Sequence, residues 1–373
     1  MPNPTNREYR GDQEQPTLYL HIGHPKTGSS AFQAFLASNA DHLRAAGIFY
    51  PYHDSFAAAA RGYVSSGNLP LGDLTDNWLL ARVLSVVQQC PEDCRALLFS
   101  NENLLHRMVE FYDAVDFVLP YCKPHVLLAV RNPLDQLASV YQQLVKRHGF
   151  TADYNSFLSQ HRYRCNALHK SAQIVERLDK MGIDYTLLNY SALGRGIVHA
   201  LGRCAGFPEE LLSSVAPEAE DASPVNRSLS ASELQLVLLT NSIHGRDAGR
   251  RLADALVNQL PDVQPVKLAM DPVARHCVEF ENQKALEVLN ARLPAEAPLT
   301  FAGYQGDPVA FHCGLTSEQL ALCRDVFNRA AGPDSPRVYD MQRQLLDRLI
   351  KLLNKMAAQC LNMSKASRRA NSG

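Results

Sequence analysis

The stretch LHIGHPKTGSSAFQAFL, residues 20–36, determines how the first half of this chain folds. Gly23 and Gly28 frame a loop with four residues between them, as in the nucleotide-binding P-loop. In that motif a lysine follows the second glycine and reaches the β and γ phosphates. Here Ser29 holds that position, and the lysine, Lys26, lies in the middle of the loop. The loop therefore indicates a phosphate ligand, but the lysine charge lies in the middle of the loop and not after its second glycine.

The residues around this loop predict a strand, a turn and a helix. TLYLHIG (17–23) is an apolar run of strand length, and residues 28–47 predict a helix that ends at a glycine. Such a junction directs backbone N–H groups and the positive end of a helix dipole at one place, which makes an anion site. Three hydroxyl groups and one ammonium group add donors there: Thr27, Ser29, Ser30 and Lys26.

Strand-like and helix-like segments alternate through the first half of the chain, which indicates an α/β fold around a mostly parallel sheet. IFYP predicts an edge strand closed by Pro51. Continuous apolar runs are expected where helices cover both faces of a sheet. The later strands are predicted over 96–100, 125–131 and 184–190, and helices near 74–89, 132–149 and 166–181.

After about residue 206 the sequence predicts helices and no further strands. Ser230 and Glu233 have capping-box spacing at the start of one of them. Residues 54–72 are an irregular excursion and a candidate substrate lid. We predict a flexible N-terminus over 1–16, an α/β domain over 17–260, a helical C-terminal extension over 261–362 and a disordered tail over 363–373. An amphipathic helix predicted over 339–361 is compatible with a homodimer.

The composition narrows the possible functions. With 373 residues, of which 46% are hydrophobic, the chain can bury a substantial core. Its 37 basic and 38 acidic side chains leave a formal net charge of −1, so no long-range field attracts nucleic acid or an anionic membrane. No apolar run approaches the ~20 residues of a membrane span. We therefore predict a folded protein with no nucleic-acid partner and no transmembrane segment.

The cysteines and the N-terminal residues indicate the compartment. Nine cysteines, an odd number without a repeated short spacing, are typical of free thiols in a reducing environment. Cys90 and Cys94 could suggest a metal clip, but no second Cys or His pair lies nearby to complete four ligands. The polar residues 1–16 lack the apolar core of a signal peptide. We predict a cytoplasmic protein without a metal site.

A second segment strengthens the anion-site interpretation. Arg131 ends the strand HVLLAVR, and Ser139 follows eight residues later in the helix that begins RNPLDQLASVYQQ. Parallel strands of an α/β sheet present their carboxyl ends to one crevice, so Arg131 can lie beside the Lys26 loop. Together they predict a nucleotide with anionic groups at two separate ends.

These two motifs resemble those of the PAPS-dependent sulfotransferases. PKTGSS is similar to the 5′-phosphosulfate loop of that superfamily, and RNPLDQLASVYQQ is similar to its 3′-phosphate motif, with the same spacing from arginine to serine. The opening HIGHPKTG is most like the bacterial branch. The resemblance covers about residues 17–205. It implies a P-loop NTPase-like three-layer fold, in which 17–260 is the sulfotransferase domain.

The resemblance also implies a donor and its contacts. The donor is 3′-phosphoadenosine 5′-phosphosulfate (PAPS), a co-substrate, and an acceptor hydroxyl or amine receives its sulfuryl group. Where relatives often have an adenine-stacking aromatic residue, this chain has Ala31, so Tyr190 is preferred over Phe32 for the adenine. The implied donor contacts are Lys26, Thr27, Gly28, Ser29 and Ser30 on the phosphosulfate, Arg131 and Ser139 on the 3′ phosphate, and Asn226, Arg227 and Ser228 near the ribose phosphate.

Several of these residues also have structural interpretations that the sequence leaves open. Tyr190 can be a strand-end core tyrosine, and Arg227 can be a solvated arginine beside a helix cap. Among related sulfotransferases a carboxylate or a histidine acts as the base, and Glu102 in LLFSNENLL is our choice. Glu102 can equally be a glutamate that stabilises a helix N-terminus. Three histidines are rival bases: His24, His53 and His106.

The displaced lysine suits sulfuryl transfer. Cleavage of the sulfate–phosphate linkage leaves negative charge on the bridging oxygen, and a preorganised ammonium group there stabilises the transition state. No acidic residue ends an apolar strand in a Walker B position, which favours metal-free, in-line transfer. The acceptor predicted from the bacterial resemblance is a carbohydrate or glycosylated metabolite. The alternatives are a Mg²⁺-dependent P-loop small-molecule kinase and a catalytically inactive nucleotide-binding module.

Overall fold

The structure is a computed structural model of the chain. It describes residues 15–23, 26–54, 56–60, 67–69, 78–91, 93–162, 166–213, 227–302, 304, 306 and 315–330. The predicted tail over 363–373, the predicted helix over 339–361 and nearly all of the predicted flexible N-terminus lie outside the described residues. The candidate lid over 54–72 is described only in part.

Among the described residues, five strands form one sheet in the order β2-β3-β1-β4-β5, and every neighbouring pair is parallel. The first strand of the chain thus lies at the centre, and β2 is an edge strand, as predicted. The predicted bounds of β1 and β3 are confirmed, whereas β5 ends one residue early, at Asn189. The strands are β1 (Thr17–Gly23), β2 (Ile48–Phe49), β3 (Ala96–Ser100), β4 (Lys123–Val130) and β5 (Asp184–Asn189).

Side chains alternate between the two faces of this sheet, as the strand period of two requires. In β1, Leu18, Leu20 and Ile22 pack into one buried cluster with residues of the helices Trp78–Gln89, Met108–Val118, Ala167–Met181 and Pro272–Asn290. Phe32 belongs to a second cluster, which contains residues of the helices Ser29–Ser38, Ile197–Cys204 and Glu209–Ser213 together with Leu98 and Ala129 of the sheet. Helices therefore cover both faces, and the α/β three-layer prediction is confirmed.

The helices of the first part of the chain are α1 (Ser29–Ser38), α2 (Ala40–Ala45), α3 (Phe56–Ala60), α4 (Trp78–Gln89), α5 (Met108–Val118), α6 (Pro133–His148), α7 (Tyr154–His161) and α8 (Ala167–Met181). Those that follow are α9 (Tyr190–Leu193), α10 (Ile197–Cys204), α11 (Glu209–Ser213), α12 (Ala231–Gln259), α13 (Pro272–Asn290) and α14 (Ser317–Ala330). A 3₁₀ turn, Glu102–His106, directly follows β3. Beyond β5 the described residues contain no further strand, in agreement with the sequence.

Local hydrogen bonds explain most helix ends. The Asn132 side chain accepts a hydrogen bond from the Leu134 N–H at 2.9 Å, so it caps α6 as predicted. Gly182, at φ 66°, ends α8 in the left-handed conformation. The single helix predicted over 28–47 is instead two helices. Asn39 interrupts it, because its amide donates to the Phe35 carbonyl at 2.9 Å and competes with helix continuation.

The described residues divide into two compact units. The first lies within Met1–Gln136, Cys165–Ala219 and Val278–Phe301, and the second within Leu137–Arg164, Glu220–Cys277 and Ala302–Gly373. The first unit contains the whole sheet. The predicted boundary at residue 260 stays a prediction. No described helix is both long enough and apolar enough to cross a membrane.

A buried ion pair lies in the second unit. Arg227 makes two hydrogen bonds to the Glu233 carboxylate, at 2.7 and 2.8 Å, and the two side chains are 2% and 0% exposed. Glu233 also completes the predicted capping box with Ser230 at the start of α12. Gln319 of α14 donates to the same carboxylate at 2.9 Å. One carboxylate thus joins three segments of this unit.

We expect Arg227→Ala to lower the free energy of unfolding by about 3–5 kcal/mol, because it leaves the Glu233 carboxylate buried without its charge partner. Urea denaturation followed by circular dichroism measures this change. The matched control is Arg203→Ala, which breaks the exposed pair with Glu209, whose side chains are 63% and 64% exposed. Arg203→Ala is expected to lower the free energy of unfolding by less than about 1 kcal/mol. Similar losses in both variants would contradict the assignment.

Candidate anion site

The loop after β1 has the backbone of an anion site. Gly28 is the N-cap of α1, lies in the left-handed conformation at φ 82° and makes no side-chain capping bond. A Cβ at this position would lie 2.7 Å from Ile197 Cγ2, so both the conformation and the space require glycine. The first-turn N–H groups of α1 therefore begin at a residue without a side chain, which gives an anion close access to them.

Lys26 has a strained backbone. Its φ of 69° makes it the only non-glycine residue with positive φ within the part of the chain that the structure describes. A non-glycine residue in this conformation costs about 1 kcal/mol or more, and such strain concentrates at functional sites. His24 and Pro25, which precede Lys26, lie outside the described residues. The strain supports a functional role for the loop.

Arg131 joins the two predicted motifs. Its Nη1 donates a hydrogen bond of 2.8 Å to the backbone carbonyl of Lys26, 105 residues away in the chain. The β1–β4 register explains this contact, because Gly23 pairs with Ala129, two residues before Arg131. Asp135 approaches the guanidinium at 3.9 Å, a long and partly exposed ion pair. The cation of the second motif thus lies against the loop of the first.

Tyr190 completes this group of side chains. The Arg131 guanidinium carbon lies over its ring, 5.1 Å from the centroid, in a cation–π contact. The same ring edge is 3.5 Å from the position that a Cβ on Gly28 would take. Tyr190 was predicted to contact adenine, and that role stays a prediction. The structure adds a second role, because the ring orients the arginine.

Two buried polar groups of the site lack hydrogen-bond partners within the described structure: Ser29 Oγ and Arg131 Nε. Ser29 is 3% exposed. Native proteins leave few buried polar groups unsatisfied, so each such group calls for a reason. Both groups are hydrogen-bond donors at the N-terminus of α1 or beside its loop. Such a set of donors fits an anionic oxygen ligand.

The other predicted donor contacts lie in different surroundings. Thr27 is buried and Ser30 is half-buried at the start of α1. Ser139 is half-buried on α6 and belongs to the second compact unit, as do Arg227 and Ser228. Asn226 lies outside the described residues. The structure therefore brings together Lys26, Gly28, Ser29, Arg131 and Tyr190.

The contacts of Arg227 favour its structural interpretation. Besides the two bonds to Glu233, its guanidinium donates to the carbonyls of Ser228, Leu256 and Leu260 at 2.8–3.0 Å. All five N–H groups of the guanidinium are thereby committed. Arg227 is also buried, whereas the structural interpretation from the sequence had it solvated. A phosphate contact would require these hydrogen bonds to break.

The candidate bases follow strands or lie close to them. Glu102 begins the 3₁₀ turn after β3, and its side chain is not described. His53 is 5% exposed, lies 3.4 Å from the Tyr50 hydroxyl, and has a pKa lowered first by burial. His106 Nδ1 accepts a hydrogen bond from Lys170 Nζ at 2.7 Å; burial and this cation lower its pKa. The lowered pKa of His106 favours its neutral form.

The sequence reasoning missed a buried polar network beside the loop. His21 Nδ1 lies 2.8 Å from Ser100 Oγ, and Gln33 Nε2 donates to the same hydroxyl at 3.3 Å. Burial alone lowers the pKa of His21 to about 4. The only available signal was a polar residue within each of two apolar strands, His21 in LHIG and Ser100 in ALLFS.

No group of three or more His, Cys, Asp or Glu side chains among the described residues is arranged to hold a metal ion. Cys90 and Cys94, the pair considered for a metal clip, are both buried thiols. Cys94 has a pKa lowered to about 7, chiefly by its hydrogen bond with Cys90.

Comparison with known proteins gives no family assignment. No family model matches the chain, and no curated protein matches it. Among solved structures, the chain is similar to the crystal structure of a sulfotransferase from Alicyclobacillus acidocaldarius at 16% identity. That match covers 75% of this chain and 96% of the other, with a TM-score of 0.39.

We expect acid to destabilise the protein partly through His21. Its pKa of about 4 in the folded protein is below the ordinary value of 6.5, so the unfolded chain binds more protons between these values. Stability is therefore lost as the pH falls from about 6.5 to 4, by up to about 3 kcal/mol. Urea denaturation of wild type and His21→Asn across this range measures the contribution.

The difference between the two proteins is the informative quantity, because other groups also titrate in this range. His21→Asn is expected to show a shallower loss of stability on acidification. Parallel pH profiles for wild type and variant would show that His21 keeps an ordinary pKa in the folded protein.

Proposed function

We propose that the protein is a sulfotransferase that moves the sulfuryl group of PAPS to an acceptor hydroxyl. The observation that carries this proposal is the hydrogen bond from Arg131 to the Lys26 carbonyl. It brings together two motifs that resemble the two donor-binding segments of the PAPS-dependent sulfotransferases. If either motif matched the family only by coincidence, there would be no functional reason for the two motifs to lie in contact.

The site supports specific roles in donor binding. The N–H groups of the first turn of α1, together with the Ser29 hydroxyl, hold the 5′ phosphosulfate. Arg131 holds the 3′ phosphate, and its buried Nε is available for one more hydrogen bond. The predicted contact of Ser139 with this phosphate stays a prediction. Tyr190 keeps the guanidinium plane in place. Arg227 and Ser228 have a weaker claim, since the Arg227 donors already bind protein groups.

The chemistry follows from charge. During in-line transfer, the bond between sulfur and the bridging oxygen breaks while the acceptor oxygen bonds to sulfur. The Lys26 ammonium stabilises the negative charge that collects on the bridging oxygen. A base, for which Glu102 is our choice, takes the proton of the acceptor hydroxyl. A carbohydrate or glycosylated metabolite is the acceptor class that we propose, and the site of action is the cytoplasm.

Nucleotide binding distinguishes this proposal from a P-loop kinase. We expect 3′,5′-ADP to raise the melting temperature more than ATP, with or without Mg²⁺. Isothermal titration calorimetry is expected to show tighter binding of 3′,5′-ADP than of 5′-AMP. In Arg131→Ala this preference is expected to fall by ~30- to 100-fold, because a charge-assisted hydrogen bond to the 3′ phosphate is worth about 2–3 kcal/mol.

The ratio of the two affinities matters because Arg131 also supports the Lys26 loop, so that its loss weakens binding of both nucleotides. Arg177→Ala, which removes an arginine over the Tyr112 ring, is the matched control and is expected to leave the ratio unchanged. Tighter binding of Mg²⁺–ATP than of 3′,5′-ADP would favour the kinase.

Transfer itself tests the proposal and the role of Lys26. Incubation with radiolabelled PAPS and a cell extract is expected to label an acceptor, which then serves for kinetics. Lys26→Ala is expected to lower the turnover number by ~100-fold, or roughly 3 kcal/mol. Alanine keeps the Cβ of lysine, so the backbone strain at this position is unchanged. Lys180→Ala, at an exposed position of α8, is the control.

Normal turnover in Lys26→Ala would show that this ammonium is not the electrostatic catalyst. Tight binding of 3′,5′-ADP without any labelled product would instead support the inactive nucleotide-binding module.

A further inference from the structure

The buried polar network of His21, Gln33 and Ser100 includes a residue that lies just before Glu102 in the chain. Ser100, the last residue of β3, places its hydroxyl between His21 of β1 and Gln33 of α1, at 2.8 and 3.3 Å. The three residues are 0%, 0% and 1% exposed. A serine hydroxyl can accept one hydrogen bond and donate another, so it can accept from Gln33 and donate to His21. Ser100 therefore links one helix and two strands through a buried hydroxyl.

The main chain of Ser100 is fixed as well. The β2–β3 pairing ends at Leu97, and no strand among the described residues pairs with this edge of β3 beyond that point. The Asn68 side chain bonds to the edge there. Its Oδ1 accepts from the Ser100 N–H at 2.8 Å, and its Nδ2 donates to the Leu98 carbonyl at 2.9 Å. One amide group thus bonds to both the Ser100 N–H and the Leu98 carbonyl on this edge of β3.

The segment that carries Asn68 can lie this close to Ser100 only because residue 67 is glycine. A Cβ on Gly67 would lie 1.6 Å from the Ser100 carbonyl oxygen, and its φ is 83°. No other residue fits this approach without a shift of backbone. The close contact therefore holds the end of β3 from the outside, opposite its pairing with β1.

Asn101, the next residue, is fixed in the same two ways. Its N–H donates to the His21 carbonyl at 3.1 Å, and its side-chain Nδ2 donates to the Leu69 carbonyl. Asn101 is 0% exposed. The two residues before Glu102 are therefore both held through backbone and side chain. The 3₁₀ turn that begins at Glu102 has little freedom to shift relative to β1.

We propose that Ser100 is a positioning residue that sets the place of the Glu102 turn relative to the Lys26 loop. This inference rests on the proposed function. The loop follows β1 and the turn follows β3, so the hydrogen bond between His21 and Ser100 joins the strands that carry them. Ser100 acts through the turn, and the substrate contacts belong to other residues.

The first turn of α1 has anchors besides this network. Phe32 and Leu36 anchor α1 in the core, and both are 0% exposed. The Gln33 contact, at 3.3 Å, is the longer of the two bonds to Ser100. Loss of the Ser100 hydroxyl therefore changes the position of the base more than the binding of the donor nucleotide. Slower transfer with unchanged nucleotide binding therefore distinguishes a role in positioning the base from a general loss of structure.

Ser100→Ala tests the proposal, with Ser171→Ala as its matched control. Ser171, on α8, is also 0% exposed, and its hydroxyl makes no hydrogen bond within the described structure. In Ser100→Ala we expect transfer from PAPS to the labelled acceptor to slow at least 10-fold. The affinity for 3′,5′-ADP is expected to stay within twofold of wild type. Hydrogen exchange at the amides of residues 101–106 is expected to quicken at least 10-fold.

Conservative variants complete the test. Ser100→Thr keeps the hydroxyl and is expected to retain more transfer activity than Ser100→Ala. His21→Asn keeps a polar group near the position of Nδ1 and is expected to retain more transfer activity than His21→Leu. Equal effects of Ser100→Ala and Ser171→Ala on transfer and exchange would overturn the proposal. So would a loss of nucleotide affinity as large as the loss of transfer.

The experiment separates this inference from the function on which it rests. If wild type neither binds 3′,5′-ADP nor transfers label, the proposed function fails. Exchange at residues 101–106 still reports whether Ser100 holds the turn. If wild type transfers label and the turn is unaffected in Ser100→Ala, only the positioning role fails.

Discussion

One hydrogen bond, from the Arg131 guanidinium to the Lys26 carbonyl, holds the two parts of the candidate site together. It exists because β1 and β4 pair in parallel at the centre of the sheet, so that their carboxyl ends meet. It has an electrostatic consequence as well. A cation held against the loop raises the local positive potential of the N-terminus of α1, which is already the positive end of a helix dipole. Strand register thus creates a site that neither segment forms alone.

Strain and burial at this loop are connected. Lys26 keeps a left-handed backbone although it has a side chain, and Gly28 adopts the same conformation without that cost. The contacts around them compensate, since the Tyr190 ring and Ile197 pack close to Gly28 while Arg131 holds the Lys26 carbonyl. A loop built this way is preorganised, and little reorganisation remains when an anion binds.

The sequence predicted those parts of the molecule that depend on neighbours in the chain. Strands β1 and β3 are apolar runs bounded by polar residues or glycine, and their limits matched the structure. The break at Asn39 was missed, because a side-chain bond to the Phe35 carbonyl competes with a helix of otherwise uniform pattern. The capping box at Ser230 was recognised, because its spacing is local.

The meeting of Arg131 with the Lys26 loop was predicted from strand order, but other contacts between distant segments were beyond such reasoning. The Ser100 network depends on the register of His21 against Ser100, which no local pattern reveals. Arg227 shows the same limit, since its carbonyl partners Leu256 and Leu260 lie about 30 residues further on. The ends of β4 and β5 are braced similarly. Asn132 and Asn189 donate to the carbonyls of Thr300, Ala297 and Pro298, in a segment that the sequence assigned to a separate extension.

The central place of β1 has a consequence for biosynthesis. This apolar strand precedes both of its partners in the chain, since they begin only at residues 96 and 123. Parallel pairing at such separations forms late, and an unpaired apolar strand is prone to associate with other chains in the meantime. β1 therefore stays without its second partner strand until the chain has been synthesised beyond residue 123.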